Sequence, residues 1–499
     1  MTVSFTVNGR AAEVPDDGAS LLEVLRDRLG ITAAKDGCSP QGQCGCCTVL
    51  VDGQPRVACV TPVVRVRGRE ITTLEGIPQA QTWANALCAT GGSQCGFCTP
   101  GIIVRLAARP ADPKQALLAH LCRCTGWQTI VEAAELVANE TTMPEDNRPG
   151  ADARATLEGR SPQSVHPSVA LGQGGFADDT APPDALIAVR AVDGTWMVGE
   201  TLTAARKMAS KIQGRRTTAP VTWPIAVPDG EWARTLQTTW VEPAYLEPDA
   251  SWCSPDAEPT SALANGGAFG GKLHSTVGYE AQRLANEHGR AVKVVFSRED
   301  VVELGPKRPP MAAGIRADGT GIVRIARTDG IAEHIAHVAP GVIVEQIDVV
   351  GPPTSADLRG AGWAEVTALL TSLTDRDEVV SPEGAVATAK VESDGSISVT
   401  IDAGDVLDAV VLRSYCIGAA HQALGWVRNE AIAVDEHGEA HDLTIRSFGI
   451  LRAIDMPHVD VTIIASDRPA VNGSDAVFAA VAAAAWRDAG WPQRWPTQR

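Results

Sequence analysis

The first residues of the chain alternate between apolar and polar side chains. The alternation over Val3–Val7 predicts a strand, Asn8-Gly9 predicts a tight hairpin turn, and a second strand follows to Val14. Ser20 then stands where a helix N-cap is expected, and leucines at helical spacing follow it until Gly30. The pattern therefore predicts a β-hairpin and then a short amphipathic helix.

Shorter apolar runs continue as far as residue 140. Thr48–Val51 predicts a strand and Asp52-Gly53 a turn, after which we expect a strand that carries Cys59 and another over Val64–Thr72. With the first hairpin, these strands predict a small mixed sheet over residues 1–78. Residues 79–140 have helical periodicity instead and predict a helical domain, whose last helix covers Ile130–Asn139.

Past residue 140 the pattern changes. Residues 141–165 are polar and are interrupted by three prolines, which predicts a linker. Residues 166–499 mix alternating and helical segments, so we predict an α+β fold class. The clearest strand patterns are Ile322–Ala326, Val386–Val391 and Ile397–Ile401, and the clearest helix patterns are Tyr415–Gly425 and Ala476–Asp488.

Charge and composition exclude several classes of function. The chain has 499 residues and a formal net charge of -17, which argues against nucleic-acid partners and against binding to an anionic membrane surface. No secretory signal is visible at the start, and the most apolar run, Ala476–Trp486, is too short to span a bilayer. The 12 cysteines are clustered, unlike those of a secreted disulfide scaffold, so we expect a cytoplasmic protein.

Four cysteines lie between Gln94 and Gly126. They form a CxxC pair and a CxC pair, and both pairs are expected near helix ends, where free backbone N–H groups can point at sulfur. A cage of four thiolates suits either zinc or an iron–sulfur cluster, and this set alone does not decide between them. The four are Cys95, Cys98, Cys122 and Cys124.

Another set of four cysteines lies upstream. Its spacing is close to that of plant-type ferredoxins, with one extra residue in the first gap, and glycines around it would let a loop wrap closely. Zinc is redox-silent and gives no reason for two adjacent sites, so the two sets together favour two [2Fe-2S] clusters, with structural zinc as the alternative. In chain order this upstream set, Cys38, Cys44, Cys47 and Cys59, is the first set, and Cys95, Cys98, Cys122 and Cys124 form the second set.

Four segments around these cysteines together resemble the iron–sulfur subunit of molybdenum hydroxylases, the xanthine dehydrogenase and aldehyde oxidoreductase family. They are Lys35–Cys38, Gln43–Val49, Gln94–Gly101 and Cys122–Gly126. The resemblance covers roughly residues 1–140 and implies a β-grasp ferredoxin domain, then a four-helix domain, each with one [2Fe-2S] cluster. It also implies that Gln94 contacts the pterin of a molybdenum cofactor.

The resemblance also bears on the cysteines outside the two sets. It favours Cys47 over its neighbour Cys46 as the ligand, since adjacent cysteines cannot easily both reach one cluster. We expect the others to be small buried apolar residues. They are Cys88, Cys253 and Cys416.

The second half carries weaker resemblances to the molybdenum domain of the same family. Asn265–Lys272 resembles its glycine-rich loop, which implies that Gly267, Phe269 and Gly270 lie at the cofactor; an ordinary turn would explain the same string. Leu358–Gly362 resembles the element whose arginine holds substrate, and a surface arginine at a helix start is the alternative. Arg359 is the arginine at that position.

The departures from the family matter more than these matches. Residues 166–499 are shorter than a complete molybdenum subunit, and the family's catalytic glutamate falls on Gly473, with Asp475 the only carboxylate close by. Losing a general base typically costs roughly 10²–10⁴-fold in rate. We therefore predict a shortened molybdopterin-binding-domain-like region, in which Asp475 and Arg359 are the only catalytic candidates.

The leading functional prediction is an electron-transfer subunit of a multi-subunit molybdenum hydroxylase. Electrons would come from a molybdenum–pterin site in a partner chain, pass both clusters, and reach FAD in another partner chain, since no convincing nucleotide-binding motif occurs here. The C-terminal region would serve assembly. The alternatives are a self-contained molybdenum hydroxylase, active in its own C-terminal domain, and a zinc-stapled scaffold without redox activity.

Overall fold

The structure is a computed structural model that describes residues 1–108, 110–141, 148–211, 217–374 and 377–498. Its mixture of helices and four separate sheets confirms the α+β class predicted from the sequence. Within these ranges, no helix is both long and apolar enough to span a membrane.

A five-stranded mixed sheet forms the first part of the molecule. Its strands are β1 (Thr2–Val7), β2 (Arg10–Pro15), β3 (Thr48–Val51), β4 (Gln54–Val57) and β5 (Glu70–Thr72). They lie in the order β2-β1-β5-β3-β4, with β1 and β5 parallel and the other neighbours antiparallel. The helix α1 (Leu21–Glu23) begins after Ser20, whose side chain caps it, and continues as a π-helical segment, Val24–Arg28.

Two strand predictions in this part are wrong. Cys59 lies in a 3-10 turn, Ala58–Val60, and a second 3-10 turn, Val63–Val66, replaces the start of the strand expected over 64–72. Pro62 has no N–H to give to a strand ladder, and Gly68 reverses the chain with a φ of 69°. Val63 and Val66 are therefore buried in a turn, and only the last three residues, Glu70–Thr72, pair in the sheet.

Four helices form the next part, as the helical periodicity predicts. They are α2 (Ala80–Thr90), α3 (Thr99–Ala107), α4 (Pro113–Ala116) and α5 (Gln128–Ala138). Pro100 lies in the first turn of α3, where its missing N–H costs nothing. The CxxC pair directly precedes α3 and the CxC pair lies shortly before α5, where free backbone N–H groups at a helix start can point at sulfur.

The predicted linker requires a correction. Residues 142–147 lie outside the described residues, but the remainder contains the helix α6 (Ala151–Gly159), followed by α7 (Pro167–Ala170) and α8 (Ala177–Thr180). Arg154 and Glu158 pair on one face of α6 with both side chains 0% exposed. Part of the polar character of residues 148–165 comes from these buried charged side chains. It therefore does not indicate a solvent-exposed linker.

Three four-stranded sheets and the remaining helices build the larger C-terminal part. The sheets have the orders β7-β6-β10-β9, β13-β12-β11-β8 and β14-β15-β16-β17. The strands are β6 (Leu186–Arg190), β7 (Trp196–Gly199), β8 (Arg234–Gln237), β9 (Ala250–Cys253), β10 (Val292–Val295), β11 (Met311–Ile315), β12 (Gly321–Ala326), β13 (Val342–Ile347), β14 (Glu378–Val380), β15 (Val386–Val391), β16 (Ile397–Asp402) and β17 (Val459–Ile463). The helices are α9 (Leu202–Ala209), α10 (Val277–His288), α11 (Arg298–Leu304), α12 (Ile331–Val338), α13 (Trp363–Thr371), α14 (Ala409–Arg428) and α15 (Ser474–Asp488).

The helices α14 and α15 form the centre of the C-terminal core. Trp426 of α14 stacks on Phe478 of α15 with ring centroids 5.2 Å apart, and Trp495 meets Trp426 edge-on at 4.7 Å. The apolar pattern predicted these helices, but α14 extends well beyond Tyr415–Gly425 at both ends. It is the longest helix in the described ranges, and it also contacts the cysteine-bearing helical part.

Buried charges join the first sheet to the C-terminal part. Arg26, just after α1, lies 2.6 Å from Asp178 and 2.7 Å from Asp179, while Lys293 on β10 lies 2.9 Å from Asp178. Burial alone would raise the pKa of Asp178, but the charges of Arg26 and Lys293 outweigh it and hold that pKa below its usual range. Two cations therefore bracket one carboxylate between the two parts of the chain.

Candidate metal centres

The four cysteines of the helical part converge as two pairs. The Sγ atoms of Cys95 and Cys124 lie 3.6 Å apart. Cys98 donates to the sulfur of Cys122, and this hydrogen bond, with others from Thr125, lowers the pKa of the Cys122 thiol to about 6. Each pair thus joins one cysteine of the CxxC to one of the CxC, and all four side chains are buried.

The upstream set forms a similar arrangement. Hydrogen bonds from Cys44 and then Cys59 hold the pKa of Cys38 well below its usual range, while the bonds of Cys59 to Cys38 and Cys47 raise the pKa of Cys59. The backbone N–H groups of Gln41 and Gln43 point at the Cys38 sulfur, at 3.3 and 3.4 Å. The sulfurs therefore form a connected row in which Cys38 neighbours Cys44 and Cys59, Cys59 neighbours Cys47, and Cys44 neighbours Cys46.

This donor chemistry fits the [2Fe-2S] type of cluster. Such a cluster takes two thiolates on each iron, and both sets present their sulfurs in pairs, with backbone N–H groups directed at sulfur in the upstream loop. Among the described residues, no three His, Cys, Asp or Glu side chains converge as they would around one metal ion. The eight predicted cysteines are thus the residues that would hold two such clusters, and a bound cluster would supply one-electron redox chemistry.

The cysteines outside the two sets are buried as well. The pKa of Cys46 is raised; its hydrogen bond with Cys44 is the main interaction, and it acts against the burial and neighbouring thiolates that cause the rise. Cys253 donates to the carbonyl oxygens of Ser254 and Ala257, at 3.2 Å each, far along the chain from both sets. Cys416 is 0% exposed within α14. Cys88, Cys253 and Cys416 are thus all buried, as predicted.

The two cysteine sets approach each other through backbone. The N–H of Leu121, next to Cys122, donates to the carbonyl of Cys44 at 2.9 Å. A Cβ on Gly45 would lie 2.5 Å from the ring of His120, so this position needs glycine for the loops to meet. One hydrogen bond and short covalent segments therefore connect a predicted ligand of one cluster to a predicted ligand of the other.

Gln94 does not face open space. It is 7% exposed, and its Nε2 donates to Ser414 of α14 at 2.9 Å. The Ser414 hydroxyl in turn donates to the carbonyl of Gly91 at 2.6 Å. The predicted contact of Gln94 with a pterin stays a prediction, and in this structure its amide is bonded within the chain.

The glycine-rich loop packs directly on the second cysteine set. A Cβ on Gly267 would lie 2.8 Å from Cβ and 2.9 Å from Sγ of Cys95, so the loop backbone touches the cysteine itself. A Cβ on Gly270 would overlap the carbonyl of Asp357, which places this glycine against another loop. Of the three loop residues predicted at the cofactor, Phe269 lines the cavity beside Arg359, and Gly267 lines a smaller cavity beside Cys95 and Cys124.

Phe269 and Arg359 share a cavity of about 380 Å³ with residues of α14 and α15. The guanidinium of Arg359 lies 5.0 Å from the centre of the Phe269 ring. Arg359 donates from Nε to Asp475 at 3.0 Å and from Nη2 to the Ser474 hydroxyl at 3.1 Å. The structure thus brings both catalytic candidates together, as partners of each other.

The cavity does not fit an anionic pterin cofactor. Arg123 forms a two-pronged pair with Glu430 at 2.5 and 2.6 Å, and Arg308 forms another with Glu365 at 2.7 and 2.9 Å. Arg359 is paired with Asp475, as above. Each of these three arginines at the cavity is therefore already neutralised by a carboxylate of the same chain, which leaves no uncompensated positive charge for phosphate.

Sequence reasoning missed Glu158 and Glu430. Glu158 of α6 accepts from the backbone N–H groups of Gly473 at 3.1 Å and Ser474 at 2.8 Å, at the start of α15. Glu158, from the segment predicted to be a linker, thus places a carboxylate at the start of α15. This carboxylate lies beside Gly473, the position where the family has its glutamate. In the sequence, only the spacing of four between Arg154 and Glu158 could have indicated an ion pair involving Glu158. For Glu430 the only indication was Arg123, a charged residue between two predicted ligands that would need a partner.

Comparisons with known proteins agree with this geometry. The family described as the [2Fe-2S] binding domain matches residues 73–135. The xanthine dehydrogenase iron-sulfur-binding subunit of Escherichia coli O157:H7 is 39% identical over 147 residues, which are 26% of this chain and 90% of that protein. The aldehyde oxidoreductase of Megalodesulfovibrio gigas is 38% identical over 175 residues, which are 32% of this chain.

The chain spans only 17% of the length of that aldehyde oxidoreductase in the sequence match. A solved structure, the aldehyde oxidoreductase from Desulfovibrio gigas, has the same fold over 99% of both chains, with a TM-score of 0.70 and 15% sequence identity. The likeness of the C-terminal part is therefore one of fold. On the match to nearly the whole iron–sulfur subunit, the chain belongs to the molybdenum hydroxylase family of xanthine dehydrogenases and aldehyde oxidoreductases.

Proposed function

We propose that this chain is the iron–sulfur electron-transfer subunit of a multi-subunit molybdenum hydroxylase. Its eight paired cysteines hold two [2Fe-2S] clusters, and it passes electrons from a molybdenum–pterin site in a partner chain to FAD in another partner chain. The observation that carries the proposal is the pairing of sulfurs in both sets, joined by the 2.9 Å bond from Leu121 to the Cys44 carbonyl.

The electron path follows from this bond. Cys122 and Leu121, with the hydrogen bond from Leu121 to the Cys44 carbonyl, would connect the residues that would hold the two clusters, and bound clusters would supply one-electron redox chemistry. Burial of all eight cysteines keeps water away from the clusters, and reduction potential responds to such exposure. The chain's own residues would thus hold the two clusters close together and away from water, with one hydrogen bond between the segments that carry their ligands.

The C-terminal region acts in this proposal as a structural support. Helix α14 meets the second set closely, because a Cβ on Gly418 would overlap the carbonyl of Cys124. Gln422 donates to the Arg123 carbonyl at 3.0 Å, and Glu430 neutralises the Arg123 side chain. These contacts fix the Cys122–Cys124 segment from outside, so the region stabilises a cluster site and needs no catalysis of its own.

Metal analysis of the intact chain, purified without oxygen, tests the proposal. We expect about four iron atoms per chain from two clusters and no molybdenum, with two distinct paramagnetic signals after reduction. Purification from its source should bring a molybdenum chain and a flavin chain with it. An iron-free or zinc-loaded chain contradicts the proposal.

A self-contained molybdenum hydroxylase remains a second candidate, because the fold matches the aldehyde oxidoreductase structure over 99% of both chains. In that case Asp475 is the base and Arg359 holds substrate. The isolated chain must then contain molybdenum and pterin and oxidise a substrate without a partner. Molybdenum content therefore separates the two candidates.

A further inference from the structure

A short C-terminal segment contacts the loop of the upstream cysteine set. This segment, residues 443–446, precedes the last parallel strand of the chain, β17, and lies about 400 residues from the loop. Gln41 donates from Nε2 to the Leu443 carbonyl at 2.8 Å and accepts from the N–H of Ile445 at 3.1 Å. One side chain of the loop thus pairs with the backbone of the segment on both of its amide atoms.

The loop between Cys38 and Cys44 has a physical need for such support. It contains one residue more than the plant-type spacing, and an extra residue gives the loop more conformations to lose when it orders around a cluster. Gln43, the residue before Cys44, accepts at Oε1 from the N–H of Arg446 at 3.3 Å. The C-terminal segment therefore binds the elongated loop at two of its glutamines.

Arg446 also joins this loop to the helical part. Its Nε donates to the Gln43 carbonyl at 2.9 Å, and its Nη2 donates to the Leu118 carbonyl at 2.9 Å. Leu118 lies three residues before Leu121, which makes the backbone bond to Cys44. One guanidinium thus links the Cys44 loop to the segment that leads from Leu118 to Leu121, and the proposed electron path runs between these two segments.

The charge of this guanidinium lies near the predicted ligands. The Gln43 carbonyl that accepts from Nε of Arg446 is bonded to the backbone nitrogen of Cys44, so the guanidinium lies one residue from a predicted ligand. Reduction adds an electron to a cluster, and a nearby positive charge favours the reduced form. A cation held at this place therefore acts on the upstream cluster more than on the other.

We propose that Arg446 is a positioning residue of the electron path: it fixes the Cys44 loop against the Leu118–Leu121 segment and raises the reduction potential of the upstream cluster. This inference rests on the proposed function, since it requires the two clusters. The C-terminal region would then support both cysteine sets, the second through α14 and the first through residues 443–446.

Redox titration followed by electron paramagnetic resonance tests the inference in the full chain. We expect Arg446→Gln to lower the reduced-to-oxidised ratio of one cluster at least threefold at fixed potential, about 28 mV at 59 mV per tenfold for one electron, and to leave the other cluster unchanged. Arg446→Lys should restore most of the potential, because it keeps the charge. It should also weaken the magnetic interaction between the reduced clusters, because an ammonium cannot bridge both carbonyls as a guanidinium does.

Two further variants separate charge from position. Gln41→Ala removes two neutral hydrogen bonds and no charge, so it should alter the shape of the upstream signal and leave the ratio within 1.5-fold, roughly the effect of a neutral change. Arg327→Gln removes an exposed cation paired with Asp348 on the surface and should change nothing.

The outcomes distinguish the inference from the proposal on which it rests. If Arg446→Gln keeps its full iron content and both potentials and the cluster interaction equal those of the parent chain, the role of Arg446 is wrong and the relay proposal stands. If the parent chain binds no iron, the relay proposal itself is wrong.

Discussion

Arg359 and Asp475 lie 116 residues apart in sequence and form a buried ion pair with 3.0 Å between Nε and Oδ1. Arg160 lies 2.6 Å from the other carboxylate oxygen, and the Asp475 charge raises the pKa of that second guanidinium. Two cations thus bracket the carboxylate at the start of α15. This arrangement favours a structural role for both residues over general-base catalysis.

Asp475→Asn should therefore destabilise the protein. The substitution keeps the shape and leaves Arg359 buried without its counter-charge, a loss of about 3 kcal/mol for a broken buried pair. The shift of the urea midpoint measures it, and both cluster signals should keep their shape. Asp348→Asn, in an exposed pair with Arg327, is the matched control and should cost less than about 0.5 kcal/mol.

The double variant Asp475→Asn with Arg359→Met refines this prediction. Removing the unpaired Arg359 guanidinium should recover part of the lost stability. The losses in the free energy of unfolding of the two single variants should therefore add up to more than the loss of the double variant. A protein that keeps its urea midpoint in Asp475→Asn but loses substrate oxidation would contradict the structural role and favour the self-contained enzyme.

Cys124→Ser should remove one cluster only. Cys124 pairs with Cys95 at 3.6 Å, and the loss of one thiolate opens one iron site of the second set. We expect iron to fall from about four to about two atoms per chain, with one of two paramagnetic signals retained. Cys253→Ala should keep all the iron, since this thiol bonds only to nearby carbonyls.

The choice between Cys46 and Cys47 can be tested directly. Cys47 neighbours Cys59, whereas Cys46 neighbours Cys44, so the two adjacent cysteines lie at opposite ends of the row of sulfurs. Cys47→Ala should lose the upstream signal, and Cys46→Ala should retain it with full iron content. The reverse result would assign the ligand to Cys46.

The charges that join the first sheet to the C-terminal part predict a pH dependence. The folded-state pKa of Asp178 lies below its unfolded value, so its stabilising effect is complete well above roughly pH 4 and is lost as the pH falls below that value. At pH 7, Asp178→Asn should cost roughly 2 kcal/mol, a low figure for a buried pair because this carboxylate is one-quarter exposed. Urea midpoints at pH 7 and pH 3 should show the difference between parent and variant shrinking; an equal difference at both would contradict the assignment.

The two cysteine sets could be recognised in the sequence because the residues of each motif lie close together along the chain. A CxxC fixes the separation of two sulfurs by backbone geometry alone, and the flanking glycines and Pro100 mark the turns and the helix start that follow. The segment 148–165 was not predictable as a helix, since its Arg154 and Glu158 look solvated until a partner buries them. Likewise, no local pattern marks Glu430 as the partner of Arg123.

The sequence by itself determined the two sets of cysteines, the α+β class and the family, because each depends on residues close together along the chain. Only the tertiary structure decided what the C-terminal region does with its family-like residues. Gly267 lies against Cys95, and Gly418 lets α14 pack against Cys124. The arginines of the cavity pair with carboxylates from distant segments. Such contacts depend on long-range packing, in which a buried charge must find its counter-charge wherever the fold supplies one.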